Sequence, residues 1–179
     1  MPSKIRMRLV IDSSVVQAPG PDHPTDERPK RCRDFLGAVY VLCHRVVVTD
    51  AILSQWKRHW SRFARTWYRV MLQHRKVVYD HGISDPALRA KVGALDAGKK
   101  ELRLMLEDAF LIEAALATDK IVISLDDEAR ELFRAACQTI AEMRPVTWVN
   151  PARPEEAAAK WLRKGVQPEG KRKLGWGLA

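Results

Sequence analysis

Short β-branched runs alternate along the chain with longer stretches of helical spacing. Residues 7–11 (MRLVI) end at Asp12, and residues 45–48 (RVVV), 121–123 (IVI) and 145–149 (PVTWV) have the same character. They are apolar at successive positions rather than alternate ones, the pattern of strands buried on both faces. Between them, residues 32–43 are apolar with helical spacing. Thr49 is a suitable N-cap for a long helix running to about residue 76. Further helices are predicted over about 86–96 and 99–118, and from Asp126 to about residue 142. The last carries Asp126, Asp127 and Glu128 in its first turn, where the helix dipole favours acids. Residues 18–31 (APGPDHPTDERPKR) read as a loop. Pro154 opens a short helix, and the tail from about residue 165, with four glycines and a basic cluster, reads as flexible.

Strands alternating with helices predict an α/β domain, a parallel sheet covered by helices on both faces. At 179 residues the chain suits a single domain. The reading places that domain at residues 1–152, with a helix and basic tail as an extension over 153–179. In open parallel sheets, sites collect beyond the carboxyl ends of the strands.

Composition narrows the classes. Hydrophobic residues make up 46% of the chain, enough for a full core. The longest apolar stretch, Phe35 to Cys43, is about half of the roughly 20 residues that span a membrane. The first residues, MPSKIRMRLVIDSS, lack the apolar region of a secretory signal. Cys32, Cys43 and Cys137 form no C-x-x-C pair, which argues against a disulfide framework or a zinc site and for reduced thiols in a cytoplasmic protein. The formal charge of +9 favours a polyanion, nucleic acid before a membrane surface.

That charge is uneven. Residues 55–76 hold seven Lys/Arg and no acid, and residues 160–179 hold six Lys/Arg and one acid. In the first segment Trp56, Trp60, Phe63 and Trp67 recur at helical spacing, which reads as a core-facing stripe. A homodimer or partner-helix interface is the competing use of the same rings. Arg58, Arg62, Arg65 and Arg69 are the candidates for phosphate contacts.

Three acids stand where a parallel-sheet site belongs. Asp12 ends the first strand and Asp126 follows the third. Asp108 shares a helical stripe with Leu104, Leu111 and Ala115, so its carboxylate faces apolar surroundings and needs a positive partner. A divalent ion held with Asp12 and Asp126 would supply one, and carboxylates without His or Cys select Mg²⁺ or Mn²⁺. Such an ion binds phosphate oxygens and activates water. Each acid also has an ordinary reading. Asp126 or Ser124 can cap the following helix, Asp12 can be a strand-end turn residue, and Asp108 can pair with an arginine.

The segments LVIDSSVV (9–16), VVVTDAILSQW (46–56), EDAFLIEAALATDKIVISLDD (107–127) and PVTWVNP (145–151) resemble, in order and spacing, the PIN-domain nucleases, including ribonuclease toxins of the VapC type. The resemblance spans roughly residues 7–151. It implies a three-layer α/β/α sandwich on a central parallel sheet and metal-dependent endoribonuclease activity, with Mg²⁺ or Mn²⁺ held by Asp12, Asp108 and Asp126. Ser13 and Ser14 fall beside the first acid. The family's second acid, normally Glu, falls on Gln55, which weakens the charge available to hold the ion. Asp127 or Asp50 is the candidate replacement ligand. RNA is the implied substrate, and an antitoxin protein the implied partner of a toxin. The alternative is a catalytically impaired module that binds RNA or protein. A phosphatase is disfavoured, because Ser14 stands where a second acid would be required.

Overall fold

The computed structural model describes residues 6–20 and 26–178. Five strands, β1 (Arg8–Ile11), β2 (Arg45–Val48), β3 (Val77–Tyr79), β4 (Ile121–Ile123) and β5 (Thr147–Val149), form one parallel sheet in the order β3-β2-β1-β4-β5. Among the described residues eight helices flank it: α1 (Ser13–Gln17), α2 (Glu27–Val41), α3 (Asp50–His59), α4 (Arg62–Gln73), α5 (Pro86–Gly93), α6 (Lys99–Leu116), α7 (Asp127–Ala136) and α8 (Ala158–Arg163). The result is the expected α/β sandwich. Leu9, Val10, Ile11, Val46, Val47, Val48, Val122 and Ile123 are fully buried, because helices cover both faces of the central strands. Among the described residues no helix is long and apolar enough to cross a membrane.

The chain lays down β1, moves outward through β2 and β3, and returns through α5 and α6 to place β4 on the other side of β1. The switch point therefore lies between β1 and β4, and the ladder continues past both strand ends. The Asp12 amide donates to the Ile123 carbonyl at 2.8 Å, and the Ser124 amide donates to Val149 at 3.1 Å.

Four local expectations change. The single helix predicted from Thr49 to residue 76 is two helices. Trp60 is extended, Ser61 caps α4 by accepting the Ala64 amide at 3.1 Å, and the Ser61 amide is bound by Val16 at 3.0 Å. The aromatic spacing runs through this break and conceals it. Beyond it, β3 is a strand that periodicity misses, since three residues flanked by His74, Arg75 and Lys76 give little apolar signal. Helix α2 starts at Glu27, inside the segment read as a loop; residues 21–25 of that segment lie outside the described residues. Helix α7 ends at Ala136, and a 3₁₀ turn over Ala141–Met143 follows.

The tail expected to be flexible packs on the sheet. Leu174 donates its amide to Val146 at 2.8 Å, and Lys173 bridges Thr147 in antiparallel sense. Arg172 is only 5% exposed and donates to the Glu156 carbonyl at 2.6 Å and to Glu169 at 2.9 Å. The Glu156 carboxylate also receives Arg130 at 2.6 Å, the Asn150 amide at 3.0 Å and Arg172 Nη1 at 3.3 Å, so one carboxylate fastens three parts of the chain.

Candidate acid site at the strand switch point

Asp12 is both strand end and helix cap. Its carboxylate accepts the Ser13 amide at 2.7 Å, the Ser14 amide at 3.4 Å and the Ser14 hydroxyl. Ser124, fully buried beyond β4, donates its hydroxyl to Asp12 Oδ2 at 2.9 Å and accepts the Asp126 amide at 3.0 Å. Ser14 Oγ accepts the Leu125 amide at 3.0 Å. The ends of β1 and β4 are thus tied by two serine hydroxyls. The backbone beneath is held by a core tryptophan: Trp56 Nε1 donates to the Ile11 carbonyl at 2.9 Å. Trp56 and Trp67 are buried and in ring contact, while Trp60 and Phe63 are partly buried against the core, as a core-facing stripe requires.

Asp126 caps α7, its Oδ1 accepting the Ala129 amide at 2.8 Å. The capping reading of Asp126 therefore holds, Asp12, read as a strand-end turn residue, caps α1, and both residues still stand at the switch point. Asp108 comes to this place from α6, which packs on β1 and β4. Its carboxyl is part-buried and pushed up to about 7, first by burial and then by the charges of Asp12 and Asp126, with Glu107 adding a smaller effect. No ion pair reaches Asp12, Asp108 or Asp126 among the described residues. The arginine partner that would have explained Asp108 is absent from that set.

Three uncompensated carboxylates are the donor chemistry that a hard divalent cation matches. Their side chains are not drawn together as a ligand cage, however. Among the described residues no group of three His, Cys, Asp or Glu side chains stands close enough to hold a metal ion. Asp12 in particular has its oxygens engaged by Ser13, Ser14 and Ser124.

The two candidate replacement acids are engaged elsewhere. Asp50 accepts the Tyr79 hydroxyl at 2.6 Å and His81 Nδ1 at 3.0 Å, and these hydrogen bonds, Tyr79's first, hold its carboxyl below the usual range. Asp127 accepts Asn150 Nδ2 at 3.0 Å and Arg153 Nε at 2.8 Å. For Asp127 both of these bonds fall on Oδ2, and its Oδ1 is buried without a hydrogen-bond partner among the described residues. Gln55 is part-buried on α3, a helix that packs against α1 and α6. Arg58, Arg62, Arg65 and Arg69 are exposed on α3 and α4.

Two residues gain importance that local sequence does not suggest. Ser124 reads as a helix cap, yet its hydroxyl serves Asp12 instead. Arg28 falls inside the apparent loop, yet it lines, with Ser14 and Gln17, a concavity of about 310 Å³ beside the site. The pair Asp26-Glu27 ahead of an arginine-rich run is the available signal, a helix start with an acid in its first turn.

Comparison of the chain with protein-family models, with curated proteins and with solved structures gives no match.

Proposed function

We propose that the protein is a metal-dependent endoribonuclease of PIN type. The observation that supports this reading is the placing of three acids, after β1, on α6 and before α7, toward the switch point of a parallel sheet, although their side chains do not converge as a ligand cage among the described residues. There Asp12 and Asp126 both raise the pKa of Asp108. Mg²⁺ or Mn²⁺, when bound, supplies charge neutralisation for a phosphate and an activated water.

The chain's own residues have separable parts in this reading. Asp12, Asp108 and Asp126 would hold the cation. Ser13, Ser14 and Ser124 orient the Asp12 oxygens, and Ser14 and Ser124 also fix the Leu125–Asp126 turn against β1. Asp108 keeps its proton to about neutral pH in the cation-free chain, so binding a cation would displace it. The exposed arginines of α3 and α4 would draw in the RNA backbone.

The test is incubation of unstructured and structured RNA with Mn²⁺, alongside Asp12→Asn and Asp108→Asn. Cleavage by the wild type alone supports the reading; equal residual cleavage by all three overturns it. Gln55 and the unconverged carboxylates favour a second reading, an RNA-binding module that has lost cleavage. Salt-dependent RNA binding with no Mn²⁺ uptake by calorimetry would select that alternative.

A further inference from the structure

The C-terminal segment encloses a second basic surface at the amino end of the edge strand β5, whereas Asp12 follows the carboxyl end of the central strand β1. Thr147 lies at the amino end of β5, where Lys173 bridges it, and the Gly175 amide donates to the Arg144 carbonyl at 3.1 Å. These contacts shape an open cavity of about 420 Å³ whose walls include Arg144, Pro145, Gly170, Lys173, Gly175 and Trp176. The lining holds two cations and no acid, and one of the two, Arg144, already donates its Nε to the Cys137 carbonyl at 3.0 Å. Lys173 has no carboxylate partner among the described residues, and Glu169, the nearest acid in sequence, is turned to Lys171 and Arg172.

Trp176 is the telling residue. It is 59% exposed, whereas four of the other five tryptophans are buried and Trp60 is partly so. Its ring sits so close to Gly170 that a Cβ there would lie 2.6 Å from the ring. Gly175 likewise lies where a Cβ would meet Arg144 at 2.5 Å. Glycine at these two places lets the backbone support the indole and the arginine stem, while the indole keeps over half its surface open. A supported, exposed aromatic ring beside basic side chains is the arrangement that single-stranded nucleic acid uses, a base on the ring and phosphates on the cations.

We infer that this cavity is a contact site for single-stranded nucleic acid, with one base stacked on Trp176 and an adjoining phosphate on Lys173. The inference does not depend on cleavage. It concerns a place remote from Asp12 and uses the tail's charge, which the acid site leaves unexplained.

The test is fluorescence anisotropy of a labelled ten-nucleotide oligouridine, titrated with the protein in EDTA so that no cutting intervenes. The wild type should prefer the single strand to a duplex RNA of equal length. Trp176→Leu should weaken single-strand binding about tenfold and abolish that preference. Lys173→Ala should flatten the dependence of log K on log salt by about 0.7. In the wild type, the ¹⁵N-indole cross-peak that Trp176→Leu removes should shift on addition of RNA, a readout taken on the native chain. An unmoved cross-peak, or Trp176→Leu binding like the wild type, overturns the inference. RNA binding with these signatures but no Mn²⁺-dependent cleavage would uphold it and overturn the nuclease reading instead.

Discussion

Ser124 Oγ donates to Asp12 Oδ2 at 2.9 Å and accepts the Asp126 amide at 3.0 Å, so one buried hydroxyl joins the ends of β1 and β4. Replacing it by alanine takes the acceptor from the Asp126 amide and leaves Asp12 Oδ2 with only its Ser14 donors. Ser124→Ala should cost about 1–3 kcal/mol in urea unfolding. If the nuclease reading holds, it should also lower the cleavage rate more than RNA affinity. Unchanged stability would show that the hydroxyl is dispensable as a tie.

Asp108 makes stability depend on pH with a definite sign. Its folded carboxyl titrates at about 7 against an ordinary 3.8. Between those values the unfolded chain gives up this proton and the folded chain keeps it. The contribution of Asp108 to stability therefore falls as pH rises from about 4 to about 7 and stays low above. Asp108→Asn should melt at higher temperature than the wild type at pH 8 in EDTA, with the difference shrinking toward pH 4. Melting curves of both proteins across that range check it; a gap that widens at low pH contradicts it.

Gln55 supplies a gain-of-function experiment. Gln55→Glu restores the charge that the PIN resemblance leads one to expect on α3. Mn²⁺ should then bind roughly tenfold more tightly by calorimetry. It should also raise the melting temperature further than it does in the wild type. Equal binding by the two proteins would place residue 55 outside the metal's reach.

The exposed arginines of α3 and α4 should contribute through charge alone. Substituting alanine at Arg58, Arg62, Arg65 and Arg69 together should weaken RNA binding uniformly across sequences. It should also flatten the salt dependence by about 0.7 for each phosphate that these side chains neutralise. Filter binding at several salt concentrations reads the slope, and an unchanged slope removes these residues from the interface.

Arg89 pairs with Glu113 through two short bonds, both at 2.7 Å, and Glu113 is only 4% exposed. Arg89→Ala leaves that carboxylate with the Asp85 amide at 3.0 Å but no cation. The expected cost is about 3 kcal/mol. Denaturant unfolding at pH 7 measures it, and a loss below about 0.5 kcal/mol would mean that water replaces the guanidinium.

Four of the five strands were legible because a strand covered on both faces must be apolar at every position, and Leu9 to Ile11 or Ile121 to Ile123 can do little else. The strand β3 was missed although Val77–Tyr79 is apolar throughout, because it is only part-buried and follows directly on the basic run His74–Lys76 that closes the preceding helix. The three acids were legible by place, at strand ends and on a buried helical stripe. What the sequence could not carry was the angular information. Asp50 and Asp127 sit within one turn of suitable positions, yet Tyr79 with His81, and Asn150 with Arg153, draw them off. Those partners lie 23 to 31 residues away in the chain, beyond the reach of any local pattern. The tail misled for a related reason. Glycine and charge suggest freedom, but Arg172, besides its local pair with Glu169, is tied 16 residues back to the carbonyl and carboxylate of Glu156.

The indole of Trp56 holds the carbonyl of Ile11, the residue before Asp12, from within the helix that carries Lys57 and Arg58. Helix α3 cannot lift from the sheet without releasing the end of β1. Amide exchange in α3 and at the Asp12–Ser14 turn should therefore proceed through one shared opening event, with matching protection. A substitution that loosens the basic helix would then disorder the acidic site in the same motion, even though the two share no charged contact.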